Sequence, residues 1–406
     1  MQITTKRVER IWLKPSDELN RMCHIAKNLY NEATYLIRQE LFNTGRRIRY
    51  NELAKVLKDS ENYKILPAKT GQQILKYVDW NWKSFFNAMK QYKKIPSAFF
   101  GRPGIPKYKH KDGVFMLIFT NQQVSIKNNV LIFPKKMDEV LPKVRVRPII
   151  EKLREVRLIP RAVGYILEIV YDKIINAPKR DKRIVAGIDL GVRNLATIVD
   201  NTGGKPIVIK GGTVKSIIQF YQKERARLQS IYDLQKQDKQ GMKMKRLSDK
   251  YKKKMHDYLH KVSNAIIKHL DRRGIGLLVI GYNDDWQHKA TLGRRNNQTF
   301  SSIPYRQLIN MLQYKAEEQG INTMMPDESH TSVCSFFDNE TIEHHDEYVG
   351  KRKGGLFRTA KGHVVNADVN GGFDIMKKAV PNAFQKWMAD GIEGAVGHPL
   401  RLKVVR

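Results

Sequence analysis

Two aspartates stand where an aspartate is costly. Asp189 lies in Gly187-Ile188-Asp189-Leu190-Gly191, inside an apolar run that reads as a strand. Asp368 lies in Asn366-Ala367-Asp368-Val369-Asn370-Gly371-Gly372, just ahead of a helical stretch from Phe373 to Ala379. Burying a carboxylate is unfavourable unless it is paired or binds metal. Each residue has a structural reading: Asp189 suits a strand-end turn, and Asp368 suits the first turn of a helix, where the dipole favours an anion. The chemical reading makes them two carboxylates of one metal site. Phosphodiester hydrolysis by paired Mg²⁺ needs at least two carboxylates converging on ions ~4 Å apart. One ion activates water and the other stabilises the leaving oxygen.

Such a site needs a sheet to carry it. Strands are predicted over 184–190, 194–199, 206–209, 276–281 and 321–325, with a long helical stretch over 215–270 and a helix over 303–319. Strands alternating with helices indicate a layered α/β domain. The first half of the chain differs. A strand covers 1–14, and Lys14-Pro15-Ser16 opens a helix with Ser16 as N-cap and Asp17 and Glu18 in the first turn. Further helices are predicted over 50–59 and 70–92, the last with Ile74, Val78, Trp82, Phe85 and Met89 on one face. From 114 to 175 short strands take over. Val124 and Ile126, then Asn128-Asn129, then Val130 and Ile132 read as a hairpin, followed by strands at 143–148, 153–158 and 163–171. This β-rich unit is expected to close as a barrel and to pair with the N-terminal strand, which makes the helices between them an insertion.

The charge names the class of partner. The 406 residues carry 74 Lys and Arg against 40 Asp and Glu, a net charge of +34. That excess calls for a polyanion, with nucleic acid first and an anionic membrane surface second. No apolar run approaches the ~18 residues of a bilayer span, and MQITTKRVERIWL is too charged for a secretory signal. Two cysteines, Cys23 and Cys334, exclude a disulfide framework and fit a reducing compartment. The cations cluster. Residues 93–112 mix them with Phe99, Phe100 and Tyr108, so Lys107, Tyr108 and Lys109 form either a solvated linker or a nucleic-acid strap. Lys250, Lys252, Lys253 and Lys254 mark either a solvated helical hairpin or an arm along a phosphate backbone. Arg294 and Arg295 read as backbone contacts, and Arg352, Lys353 and Arg358 as solvated cations or phosphate holders beside Asp368.

GIDLGVRNLATIV resembles the first catalytic motif of RuvC-like nucleases of the RNase H fold, and NADVNGGFDIMKKA resembles the third. With FFNAMKQYKK, RPGIPKYKHK, HKVSNAIIKHL, GYNDDW and YKAEEQGI, nearly the whole chain is similar to TnpB, a family of RNA-guided DNA endonucleases encoded by insertion sequences. The resemblance implies a guide RNA made from the transposon end, a double-stranded DNA target beside a short adjacent motif, and a cytoplasmic, nucleoid-associated prokaryotic protein. It implies a multidomain α+β chain: a β-barrel wedge domain (1–15 and 113–178), an inserted helical recognition domain (16–112), an RNase H-like RuvC nuclease domain (183–324 and 363–380), a target-nucleic-acid-binding insert (325–362) and a tail (381–406).

Two departures stand out. Where the family's second motif places a Glu, LLVIGYNDDW has Gly281, which cannot bind metal. In a subset of TnpB proteins and in the related Fanzors the Glu is relocated. Glu328, in Asp327-Glu328-Ser329-His330-Thr331-Ser332, then completes the set with Asp189 and Asp368 around Mg²⁺. Glu317 is the alternative, and Asp284 and Asp285 are a third option. The other departure is zinc. Where many relatives carry two C-x-x-C pairs, only Cys334 remains, and His330, His344 and His345 lack metal-site spacing. The expectation is no zinc, with Phe336, Phe337, Leu356 and Phe357 as an apolar core instead. The competing reading is a nuclease-dead, RNA-guided DNA-binding repressor, motivated by Gly281.

Overall fold

The computed structural model describes residues 2–147, 150–236, 241–283, 298, 300–384 and 399–404. The chain divides into two compact units, Thr4–Ile174 and Ile175–Arg406 with Met1–Ile3.

The first unit starts on β1 (Gln2–Leu13). The Ser16 hydroxyl accepts the Leu19 N–H at 3.3 Å and so opens α1 (Asp17–Thr44) as its N-cap. Gly45, at φ 71°, closes the helix with its N–H on the Leu41 carbonyl. The buried stripe Leu19, Met22, Ala26, Leu29, Ala33 and Ile37 packs in one core with α2 (Tyr50–Leu57), α3 (Glu61–Ile65) and α4 (Ala68–Lys94). On α4, Ile74, Val78 and Trp82 are buried as predicted, while Phe85 and Met89 stay partly exposed. Then come β2 (Leu117–Thr120), the hairpin β3 (Ser125–Lys127) and β4 (Val130–Ile132), a single turn α5 (Lys135–Asp138), β5 (Lys152–Pro160) and β6 (Tyr165–Asn176). Asn128 and Asn129 take φ of 49° and 59°, as the expected hairpin turn requires.

The sheet order is β1-β6-β5-β2, so the N-terminal strand joins the β-rich segment across the helices. Among the described residues this is an open sheet with edges β1 and β2, where a closed barrel was expected. Of the strand expected at 143–148, the described residues form one bridge, Val130 to Arg145. Pro142, just ahead of it, has no N–H for a ladder.

The second unit holds a six-stranded sheet: β7 (Val185–Asp189), β8 (Asn194–Asp200), β9 (Ile207–Lys210), β10 (Leu277–Ile280), β11 (Asn322–Met324) and, after the masses of helix, β15 (Leu400–Arg401). Its order is β11-β10-β7-β8-β9-β15. β7, β8 and β9 form an antiparallel meander, and β10 and β11 add parallel on the other side of β7. The long basic stretch divides into α6 (Gly212–Leu234) and α7 (Met242–Arg272). After β10 come α8 (Tyr305–Glu318), the small antiparallel sheet β12 (Lys351–Lys353), β13 (Leu356–Arg358) and β14 (Val364–Asn366), and α9 (Ala367–Ala379).

Strand alternation divides the two faces. Ala186 and Ile188 pack with α7 and α8, whereas Val185, Val199 and Val279 pack with Val369, Phe373 and Met376 of α9. Glycine lets α9 come close: a Cβ on Gly187 would stand 2.6 Å from the Gly372 carbonyl and 2.5 Å from Met376 Cγ. Among the described residues no helix is long and apolar enough to cross a membrane.

Candidate active site

Asp189 ends β7 on the face shared with Val185 and Gly187, so it points toward α9. Asn366 caps that helix, its Oδ1 accepting the N–H groups of Asp368 (3.0 Å) and Val369 (3.2 Å). The cap sets Asp368 in the first turn. One turn on, the Cβ position of Gly371 is 3.4 Å from Asp189 Oδ2. β10 runs parallel to β7 with Ile280 opposite Ile188, so Gly281 follows beside Asp189, its N–H on the Ile188 carbonyl at 3.1 Å. A Cβ on Gly281 would meet Glu328 Oε2 at 2.9 Å and Ile375 Cδ1 at 2.5 Å. The Glu328 carboxyl, arriving from the segment after β11, thus lies over the position where a side chain at Gly281 would begin.

Two of these carboxyls act on the third. Burial, then Asp368 and Glu328, hold Asp189 well above the usual carboxylate range. Burial and Asp327 raise Glu328 to about 7. Tyr305, buried at the start of α8, is pushed up by burial and by the Asp189 and Glu328 charges. Asp368 has cationic and polar company: Arg352 donates to Oδ1 at 2.9 Å and Asn194 donates to Oδ2 at 2.7 Å. Lys210 in turn donates to Asn194 Oδ1 at 2.9 Å. Sequence reasoning passed over Asn194, Lys210 and Tyr305. The signal for Asn194 was available: a buried amide opening an apolar strand needs partners.

In kind, the donors suit a hard divalent cation: carboxylate oxygens crowded so that a positive charge would relieve them. In place, they are not yet a ligand cage. Among the described residues no three His, Cys, Asp or Glu side chains are gathered closely enough to hold one ion, and the Arg352 guanidinium stands on Asp368.

A family model described as "Probable transposase" (OrfB of IS605) matches residues 167–287, and one described as the TNB domain of Cas12f1-like proteins matches 305–375. The TnpB-like protein ORF457 of Acidianus two-tailed virus is 24% identical over 409 residues, covering 89% of this chain and 83% of its own. Along most of its length the chain is similar to a TnpB-like protein. A Cas12f1–sgRNA–target DNA complex solved by cryo-EM has a similar fold, with TM-score 0.54 and 14% identity over 88% of this chain and 81% of that one.

The other sequence candidates fall as follows. Glu317 is exposed on α8 and is not among the charges that act on Asp189. Asp284, Asp285, Arg294 and Arg295 lie outside the described residues. Lys252 is exposed on α7, and Lys253 pairs with Asp249 at 2.8 Å. His260 packs: its carbonyl accepts from Lys315 Nζ at 3.0 Å.

The basic strap is laced to α1 through its backbone, while the Lys107, Tyr108, His110 and Lys111 side chains stay exposed. Asn31 exchanges two bonds with the Lys109 backbone, Lys27 donates to the Lys111 carbonyl, and Arg38 donates to the Pro106 carbonyl. Two of its expected nucleic-acid contacts have partners inside the chain. The Arg38 guanidinium lies 4.2 Å over the Tyr108 ring, and the Lys109 ammonium lies 4.8 Å over Tyr30.

The insert is built on a carboxylate and aromatics. Glu340 accepts the N–H groups of Ser335 (2.6 Å) and Val349 (3.0 Å). Phe336 stacks on Phe373 of α9 at 4.8 Å, and Phe357 is fully buried. Leu356, expected in that core, is instead exposed, since alternation along β13 turns Phe357 inward and its neighbours out. Asn370 ties the insert to α9, accepting the Phe336 N–H at 3.0 Å and donating to the Cys334 carbonyl at 2.7 Å.

Proposed function

We propose that this chain is an RNA-guided, Mg²⁺-dependent DNA endonuclease of an insertion sequence, with Asp189, Glu328 and Asp368 as its catalytic carboxylates. The observation that carries the reading is the Glu328 carboxyl 2.9 Å from the Cβ position of Gly281, beside Asp189. A glutamate lost from the strand is replaced by one from the next segment, aimed at the same space. When bound, divalent ions would supply the Lewis-acid chemistry of phosphodiester hydrolysis, with these three residues as their ligands. The chain's own residues do the rest. Asn194 and the Asn366 cap orient Asp368. Arg352 must leave Asp368 before that carboxylate can serve an ion, and a guanidinium so placed is free to move to a substrate phosphate. A guide RNA would supply sequence specificity by base pairing, and the +34 charge would hold both strands.

Domain roles belong to the same proposal: 1–15 and 113–178 as wedge, 16–112 as recognition domain, 183–324 with 363–380 as nuclease and 325–362 as target-binding insert. The repressor reading keeps one specific observation, the closed Arg352–Asp368 pair beside a glycine in the glutamate's place. The test is plasmid cleavage by protein co-expressed with its flanking RNA, with the guide-matched target beside a randomised flank in Mg²⁺. Wild type should cut next to one enriched flank, Asp189→Ala and Glu328→Ala should bind and not cut, and Glu317→Ala should cut. Tight binding with intact DNA in the wild type would transfer the assignment to the repressor.

A further inference from the structure

A second feature lies away from the carboxylates, on the helical hairpin of α6 and α7. Ile217, Phe220 and Tyr221 recur at i, i+3 and i+4 on α6, facing Lys250, Tyr251 and Lys254 at i, i+1 and i+4 on α7. Between them runs a cleft of about 140 Å³. Its floor is a ring stack: Tyr221 and Tyr251 lie 4.3 Å apart with planes 19° from parallel. The stack is held in place, with the Tyr221 hydroxyl 3.2 Å from Ser248 Oγ and the Tyr251 hydroxyl donating to the Ser302 carbonyl at 3.5 Å. Phe220 stands at the lip with 58% of its surface exposed. The described residues lining the cleft include two lysines and no carboxylate. Over 242–254 the helix carries seven Lys and Arg against the single Asp249, which is paired to Lys253.

We infer that this cleft is a docking site for one unpaired nucleotide of a single strand, with the base against Phe220 and the Tyr221–Tyr251 stack and the flanking phosphates on Lys250 and Lys254. Charge and shape favour that occupant. A large aromatic surface left in water beside two lysines, in a cleft whose described lining holds no carboxylate, suits a flat ring attached to an anion. A protein partner of acidic character would satisfy the lysines but leaves the ring stack unexplained. A duplex cannot enter, because its bases are already stacked and the cleft holds about one ring. The inference rests on the nucleic-acid reading above, but not on the chemistry of Asp189.

The experiment uses the full-length protein with 12-nucleotide single strands carrying one 5-iodouracil, as RNA and as DNA, and the same sequence as a duplex. Irradiation should place the cross-link on Phe220 or Tyr221, and the RNA and DNA arms decide which strand the cleft takes. Phe220→Ala should remove that cross-link and weaken single-strand binding by roughly 5- to 100-fold, as loss of one stacked base does. Lys250→Gln with Lys254→Gln should weaken binding and flatten its salt dependence while the protein remains folded. Cross-links that fall only on other peptides, or a duplex that labels Phe220 as well as the single strands do, would overturn the inference. So would an acidic peptide that competes as well as the oligonucleotides. Plasmid cleavage scored in parallel keeps the two readings apart. A Phe220 cross-link on a protein that does not cut leaves the cleft and removes the nuclease, and cutting without the cross-link does the reverse.

Discussion

Gly281 leaves no room for a side chain beside Asp189. Because a Cβ there meets Ile375 and Glu328, Gly281→Ala should destabilise the protein by about 1–3 kcal/mol, the usual cost of overpacking, measured by chemical denaturation. Glu328→Ala should relieve part of that cost in the double variant, since it removes one of the two clashing groups. The crowding of Asp189, Glu328 and Asp368 makes a second prediction. Mg²⁺ should raise the melting temperature of the wild type by about 2–8 °C, the scale of a ligand held by a few charges. Glu328→Gln should keep its fold and lose most of that shift. An equal shift in the variant would remove Glu328 from the site.

At the scale of elements, α8 carries a titration that can be read without the active site. Lys315 is buried there, donating to the His260 carbonyl and to Ser263 Oγ at 2.7 Å. Burial lowers its pKa from 10.5 to about 8. A folded-state pKa below the unfolded one means that the unfolded chain binds more protons between those values, so this group adds stability as pH rises from about 8 to 10.5. Lys315→Met should lose that increment, seen as a smaller gain in denaturation midpoint between pH 7.5 and 9.5 than in the wild type. The insert makes a different prediction. Glu340 alone satisfies the Ser335 and Val349 N–H groups in the same loop, so Glu340→Ala should cost about 1–3 kcal/mol and speed amide exchange over 335–349. A zinc chelator has no cysteine cage to empty there, and exchange in that segment is the more direct probe.

For the molecule as a whole, a net charge of +34 on 406 residues predicts salt-sensitive nucleic-acid binding. If six or more phosphates are neutralised, affinity should fall by about 10³-fold or more between 50 and 200 mM salt. A flat dependence would mean that the cations are spent on the chain's own carboxylates. Arg352 is spent that way, on Asp368, while Arg38 and Lys109 are engaged on the Tyr108 and Tyr30 rings.

Much of this was written locally. The Ser16 cap, the Asn128-Asn129 turn, the strands around Asp189 and the buried stripe of α1 follow from nearest-neighbour chemistry and period, which a sequence displays directly. The two aspartates were legible as carboxylates in costly places; Glu328 came from the resemblance, which pointed to a missing glutamate, and not from its neighbours. What the sequence could not display depends on residues far apart meeting in space. The open sheet depends on which strand ends as an edge, and the fate of Tyr108, Lys109 and Arg352 depends on partners 70, 79 and 16 positions away. Asn194 joins Lys210 to Asp368 only because β8, β9 and α9 converge. Local patterns set elements and candidate charges; tertiary packing decided which of those charges face each other, because Coulomb and hydrogen-bond energies depend on distance in space and not along the chain.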